Sequence, residues 1–563
     1  MITMLALTLL IASLVGVSVR TRPAHASDLY TASREVSPWW NASAISGEFI
    51  SAAAFLGMAG LVLAYGADML WLPIGAAAGH VVLLTLVTAP LRRSGAYTLS
   101  DFAAWRLDSR TVRHVVSACV VVIGWFYLLP QFQGAGVTLS VISGLPVWTG
   151  WVVVVLAVAA LVLPGGMRSI TGLQAVQFWL KLIAVVVPGL IFLAVWRLQN
   201  DADAARAPYF HRPTTVTAGA SAGIQLTAPA VVAVRGVVDG RRYHGERIRL
   251  GTGVHRVRAG ARLRFPAGAA VPHTSHLTLL RGDRWATPFA GGRNHPLAAT
   301  YSVLLGVLLG TMGLPHLVVR FYSNACGRTA RRTASLVVVM LAAFYLFPAL
   351  FGTLGRLYTP ELLMTGETDA TLLMLPHRIL PGITGDLLTI LVATGAFAAF
   401  ASTSCGVVVA VSGSIARGFG GGVSGFRLSA MITMAVPLVL ASVTCAPQST
   451  ALITLAFAVA ASSLCPLLVL GVWWGRLTPA GAVAGVVAGG GPAAAAGLSR
   501  ILGGQRDGWL GMLIEQPAIV TVPLGFTAMI GVSLLTQATV PAHTDRAMAR
   551  MHLPEEAGPE RPA

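Results

Sequence analysis

Residues 41–60 read Asn41-Ala-Ser-Ala-Ile-Ser-Gly-Glu-Phe-Ile-Ser-Ala-Ala-Ala-Phe-Leu-Gly-Met-Ala-Gly60. The stretch is apolar enough to enter a bilayer, yet Glu48 lies inside it and six residues from Ser43 to Gly60 are Gly or Ser. Small residues let helices approach closely, and an interrupted helix frees backbone carbonyls that can hold a cation. Packing through small residues accounts for the glycines and serines but not for Glu48. A carboxylate at the bilayer centre costs about 2.5–3.5 kcal/mol on insertion scales, a cost that shrinks toward the surface.

About thirteen such apolar runs follow one another between Met1 and Thr536, each near the roughly 20 residues that a bilayer-spanning helix needs. Their expected spans are 2–19, 43–66, 71–91, 114–137, 147–165, 174–196, 298–319, 333–355, 384–416, 428–446, 449–473, 479–498 and 516–537. With a mean hydropathy of +0.73 and 11% charged residues, the chain reads as an all-α polytopic membrane protein with the lipid bilayer as its solvent. Four segments are expected: membrane helices 1–6 over 1–197, a hydrophilic insert over 198–297, helices 7–13 over 298–538, and a disordered tail over 539–563.

The net charge of +18 would suggest nucleic acid in a soluble protein, but half of it sits in the insert, where fourteen arginines face five acids. The insert carries strand-like runs at Val231–Val234, Arg247–Leu250, Val254–Val257 and Leu263–Phe265, with a turn signal at Asp239-Gly240, so a small β-rich unit is expected there. The other arginines fall in alternate connections, which under the positive-inside rule places the N-terminus outside and the C-terminus in the cytoplasm of a cell-membrane protein. Arginines 20 and 22 follow the first apolar run instead of preceding it, which favours an uncleaved helix over a signal peptide. Five cysteines form no CxxC pair, so neither a metal site nor a disulfide framework is expected. No obligate protein partner is inferred.

Three further clusters place polar chemistry in apolar runs. Ala398-Ala-Phe-Ala-Ser402-Thr-Ser-Cys405 puts hydroxyls in mid-helix, where they either bond back to their own helix or, with freed carbonyls, serve a hard monovalent cation. Gly310-Thr-Met-Gly313-Leu-Pro315-His316 predicts a second broken helix, tolerated at membrane depth only where buried or lining a cavity. Tyr127, Gln131 and Gln133 add neutral hydrogen-bonding groups.

These clusters, in this order, resemble the sodium:solute symporter family, and most of all its acetate and monocarboxylate branch. Ser51–Gly57 is similar to that branch's first core helix, Tyr127–Gly136 to its third, Gly165-Gly-Met-Arg-Ser-Ile-Thr-Gly-Leu-Gln174 to the family's Gly-Gly signature, and Gly310–Tyr322 to its segment ending Arg-Phe-Tyr. The resemblance covers roughly 30–197 and 297–480 and leaves the insert out. It implies an inverted repeat of five plus five core helices, with the first helix of each repeat broken.

The function it implies is sodium-coupled symport of a small monocarboxylate such as acetate or pyruvate, with no cofactor besides sodium as coupling ion and no catalytic residue. Carried over by spacing, the cation site takes the carbonyls of Gly47, Ile50, Ala398 and Ala401 and the hydroxyl of Ser402, or of Thr403 if the register slips by one. Ala401 stands where many members have serine, and Gln174 where some have an aspartate tied to a second cation. The substrate is expected near Gln131, Gly313, Pro315 and His316, and Glu48 and His316 are the candidates for proton coupling. The alternatives are proton-coupled symport, a different solute such as an amino acid, and a membrane sensor that binds solute on its insert.

Overall fold

The computed structural model describes residues 36–199, 208–219, 221–274, 282–289, 295–416, 422–443, 449–502 and 508–553. The expected first span, 2–19, lies outside them. Among the described residues, eleven helices are long and apolar enough to cross a membrane. Twelve of the thirteen expected spans have a helical counterpart, and the count falls to eleven because the second and third run together over Ala53–Leu86.

The first described helix, α1 (Pro38–Phe49), stops at Ile50 and Ser51; a π-helical turn over Ala53–Gly57 then leads into α2 (Met58–Tyr65). After α3 (Trp71–Leu86), two short helices over Thr88–Ser94 and Leu99–Leu107 lead to α4 (Arg110–Ser143), and then α5 (Val147–Gln199) follows. The two spans expected at 147–165 and 174–196 correspond to two candidate crossings, Val147–Pro164 and Ile170–Leu198, within one helical run of 53 residues that has Pro164 and Pro188 inside it.

The second half repeats the opening motif. Helix α6 (Pro296–Gly313) breaks at Leu314, which is extended (φ −69°, ψ 114°), and α7 (Pro315–Phe321) resumes with Pro315 in its first turn, where a missing N–H costs nothing. The remaining membrane helices are α8 (Gly327–Tyr358), α9 (Ile383–Ala416), α10 (Gly422–Val443), α11 (Ser449–Ser462), α12 (Leu464–Trp473), α13 (Pro479–Ile501) and α14 (Ala518–Leu535). Helix α5 packs against α1 and α9, and α6 against α3 and α11. Both broken helices thus lie inside the bundle, where freed backbone groups find protein partners instead of lipid.

The insert forms a seven-stranded antiparallel sheet of β1 (Thr214–Thr217), β2 (Ala222–Leu226), β3 (Ala230–Val238), β4 (Arg241–Leu250), β5 (Gly253–Val257), β6 (Arg262–Phe265) and β7 (His273–Thr274). Its order is β1-β6-β3-β5-β2-β7, with β4 paired to β3. The β3–β4 hairpin turns at Asp239 (φ 49°) and Gly240 (φ 80°), the left-handed pair that a two-residue hairpin needs. Its apolar face, including Val232, Val234, Leu263 and Phe265, shares one core with Leu63, Ala64, Leu362 and Leu363 of the membrane part.

Two expectations are corrected. The tail expected to be disordered from 539 contains α15 (Thr544–His552), which lays Thr544, Ala547 and Met551 on the protein and receives Arg93 Nη1 on the Met551 carbonyl at 3.1 Å. Several arginines assigned to loops by the charge rule are buried instead: Arg92 and Arg106, and above all Arg320. Arg106 donates to the carbonyls of Gly471 (2.9 Å) and Trp474 (3.3 Å), so its charge is spent on closing helix ends.

Candidate functional site

The site begins with close approach. Gly47 on α1 lies against the Gln174 carbonyl and the Phe178 Cβ of α5, and any side chain at 47 would push the two helices apart. Gln174, Phe178 and Lys181 follow at i, i+4 and i+7, so they share the face of α5 that this contact brings to α1. All three are buried.

Lys181 ends in a cage of oxygens. Its ammonium donates to the Gly47 carbonyl, to the Ile50 carbonyl at 3.0 Å and to Ser402 Oγ at 2.5 Å. Ser402 Oγ in turn donates to the Gly47 carbonyl at 2.9 Å or the Ala399 carbonyl at 3.2 Å. The break after Phe49 makes this possible, because Ile50 has left the helical ladder that would otherwise use its carbonyl. Thr403 faces elsewhere and donates to the Glu48 carbonyl at 2.7 Å. Of the expected cation ligands, the structure therefore gathers Gly47, Ile50 and Ser402 at one point, and that point holds Lys181 Nζ. Ala398 and Ala401 are buried on the same helix.

Beside the cage runs a second buried network. Arg320 Nε donates to Glu48 Oε2 at 2.7 Å, with neither side chain exposed. One terminal nitrogen of Arg320 donates to Thr171 Oγ1 at 2.6 Å and the other to Gln174 Oε1. Gln174 Nε2 donates to the Ser402 carbonyl at 2.6 Å, and Asn41 Nδ2 to the Arg320 carbonyl at 3.2 Å. The two networks join α1, α5, α7 and α9. Their charged members are Glu48, Arg320 and Lys181, so with Lys181 protonated the locus carries one excess positive charge.

On the other side of the break lies a cavity of about 50 Å³, lined by Phe49, Ser51, Ala54, Leu72, Tyr127, Tyr345, Thr454 and Phe457 among others. One water needs about 10–15 Å³ measured in this way, so the space admits a solute of a few heavy atoms. Tyr127 and Ser51 both line this cavity, and Ser51 follows directly on Ile50 of the cage.

The expected substrate residues stand around this cavity and not on its wall. Gln131 Oε1 accepts the Ala52 N–H at 2.9 Å, and its Nε2 donates to the Tyr127 carbonyl at 3.2 Å, so it caps the broken helix. His316 packs its ring 4.7 Å from that of Tyr127. At Gly313, an added Cβ would come within 2.5 Å of the Ala460 carbonyl and 3.1 Å of Cys465 N, which seats the break before Pro315 against the junction of α11 and α12. Among the described residues, no cluster of three His, Cys, Asp or Glu side chains could hold a metal ion.

Lys181 and Arg320 are the residues that the sequence expectations missed. The signal for Lys181 was plain: an ionisable residue inside the apolar run 174–196 is a functional candidate by default, and it is the only lysine in the chain.

The model of the sodium:solute symporter family matches residues 29–205 and 286–489 and so passes over most of the insert. A monocarboxylic acid transporter of Corynebacterium glutamicum is 26% identical over 537 residues, 90% of this chain and 85% of that protein. An uncharacterized symporter of Bacillus subtilis is 24% identical over 92% of this chain and 91% of its own length. In fold, the chain is similar to a Na+-coupled sialic acid symporter solved in a substrate-bound outward-open state, with a TM-score of 0.63 and 14% identity over 94% of this chain and 98% of that one. The architecture is that of the inverted five-plus-five repeat core, with a β insert added.

Proposed function

The chain belongs to the sodium:solute symporter family, and from that membership we propose that it carries a small monocarboxylate, such as acetate or pyruvate, by cation-coupled symport with alternating access. Symport of a solute across a membrane follows from the family. The solute class rests chiefly on one observation: a cavity for a few heavy atoms adjoins a buried locus with one excess positive charge. A carboxylate there gains attraction that a neutral or cationic solute does not, and low dielectric strengthens it. The name of the Corynebacterium relative supports the same class.

In this reading the solute sits between Ser51 and Tyr127, whose hydroxyls reach it, while Gln131 and His316 hold the helix break and the Tyr127 ring from behind. Sodium, which the family description names, is the coupling ion to test first. The second reading is coupling to protons, and it is favoured by the ammonium that already stands on the Gly47, Ile50 and Ser402 oxygens.

The experiment is uptake of labelled acetate and pyruvate into proteoliposomes, under inward sodium and inward proton gradients at matched voltage. Concentrative uptake of at least one acid is expected, with Tyr127→Phe and Gln131→Ala each raising the half-saturating concentration about tenfold, the loss of roughly one good hydrogen bond. No uptake of either acid under either gradient would sink the solute assignment. If Gln131→Ala and His316→Ala both leave apparent affinity unchanged in folded protein, the placement beside Tyr127 is wrong.

A further inference from the structure

We propose that the Lys181 ammonium takes the place of the sodium ion in the oxygen cage, so that this chain binds no sodium there and transports without it. The inference rests on the symport reading for its consequence in transport, but the occupancy of the cage stands on geometry alone.

A primary ammonium carries three N–H donors and no acceptor, and the cage offers it three acceptors: the Gly47 and Ile50 carbonyls and Ser402 Oγ. The match is complete on the donor side, so every N–H of the ammonium has an oxygen in the cage. These are the oxygens that the family resemblance assigns to sodium. A sodium ion on them would have to displace Nζ or lie in contact with a like charge in a buried site, where repulsion is less screened than in water.

The departures from the family pattern fall into place. The family resemblance implies a serine at the place of Ala401 in many members; its absence would cost a sodium ion a ligand but costs an ammonium with three satisfied donors nothing. Gln174 donates to the Ser402 carbonyl and accepts from Arg320, so an amide, not a second carboxylate, faces the network.

Composition points the same way. Of thirty-nine basic residues, thirty-eight are arginine and the single lysine is in the cage. Guanidinium is a planar fork with five donors, whereas ammonium is a compact point charge. The second, with three donors on one atom, is the closer match to a monovalent metal ion among three converging oxygens. A buried lysine kept merely for packing would be replaced at a gain by methionine, since an ionisable group at membrane depth is costly.

The test is equilibrium binding of radiolabelled sodium to the purified full-length protein in detergent, with no organic solute present and choline as the balancing cation. Wild type is expected to show no saturable sodium binding, whereas Lys181→Ala, which empties the cage, is expected to gain it. Saturable binding to wild type that Ser402→Ala weakens would overturn the proposal, and this arm needs no lysine variant to fold. A folded Lys181→Ala protein that still binds no sodium would overturn the identification of the cage as a cation locus.

The second arm is uptake with external sodium replaced by choline. Wild-type uptake is expected to stay within about twofold, and a drop of about tenfold or more would overturn the proposal. Lys181→Arg is expected to abolish uptake, because the larger fork does not fit the cage. Failure of both acids as solutes would count against the proposed substrate alone, since sodium binding is measured without them.

Discussion

Glu48 was legible in the sequence because a carboxylate in an apolar run needs a reason to be there. Its partner was not. Arg320 ends the run 298–319 and reads as a loop charge, but the break at Leu314 turns the short helix α7 inward and delivers the guanidinium to Glu48. Such a pair is not strong evidence of net stability, yet removing one member strands the other in low dielectric. Glu48→Ala is therefore expected to lower stability by about 3–5 kcal/mol, read as denaturant unfolding in mixed micelles. The double variant Glu48→Ala/Arg320→Met is expected to recover part of that loss, since it removes the stranded charge. Equal stability of Glu48→Ala and wild type would contradict the ion pair. Ser402 was likewise legible from its place among mid-helix hydroxyls, whereas the choice between Ser402 and Thr403 needed the helix rotation that aims one at Lys181 and the other at the Glu48 carbonyl.

At the scale of elements, both helix breaks were readable from Gly, Ser and Pro placement, because those residues weaken or remove helical hydrogen bonding. The strands of the insert were readable from β-branched runs and a turn dipeptide. The hairpin also carries a charge device that alternation could not reveal. His255 Nδ1 contacts Asp239 Oδ2 at 2.7 Å while Nε2 contacts the Gly251 carbonyl at 3.0 Å; both partners are acceptors, so the doubly protonated ring satisfies both. Burial alone would lower the His255 pKa, but the Asp239 carboxylate outweighs it and holds the ring above its ordinary 6.5. Burial alone would raise Asp239, but hydrogen bonds from His255 and the Arg256 N–H hold it below its ordinary 3.8. The histidine contribution is fully present below pH 6.5 and is lost as pH rises through the raised value. The aspartate contribution is present above pH 3.8 and is lost as pH falls through the depressed value. Hydrogen exchange at the β3–β4 and β5 amides, corrected for intrinsic rate, is expected to be slowest in mildly acidic buffer and to quicken on alkalinisation. His255→Gln should flatten that upper limb; an unchanged profile would remove the pair from the account.

At the scale of the whole molecule, the insert is docked and not tethered. Trp285 Nε1 donates to the Val62 carbonyl at 3.1 Å, and the Arg356 guanidinium lies 4.7 Å over its ring. The Trp285 ring packs with Met58 and Met69 in a core of its own. Trp285→Ala is expected to cost about 3–5 kcal/mol of docking and local packing. The result should be faster protease cleavage within 206–295 while the membrane helices stay protected. Unchanged cleavage would mean that the shared core around Leu63 and Leu363 holds the insert without it.

The family resemblance supplied the candidate oxygens of the cage; the sequence by itself determined the class of molecule, the places where helices break and the β character of the insert. These follow from local chemistry: apolar run length, small and β-branched residues, and the cost of polar groups in lipid. Only the tertiary structure decided what those oxygens hold. Lys181 is 134 residues from Gly47 and 221 from Ser402 along the chain, and no local rule joins them. They meet because Gly47 lets α5 lie directly against α1, and helical periodicity then carries the ammonium from that contact to the freed carbonyls.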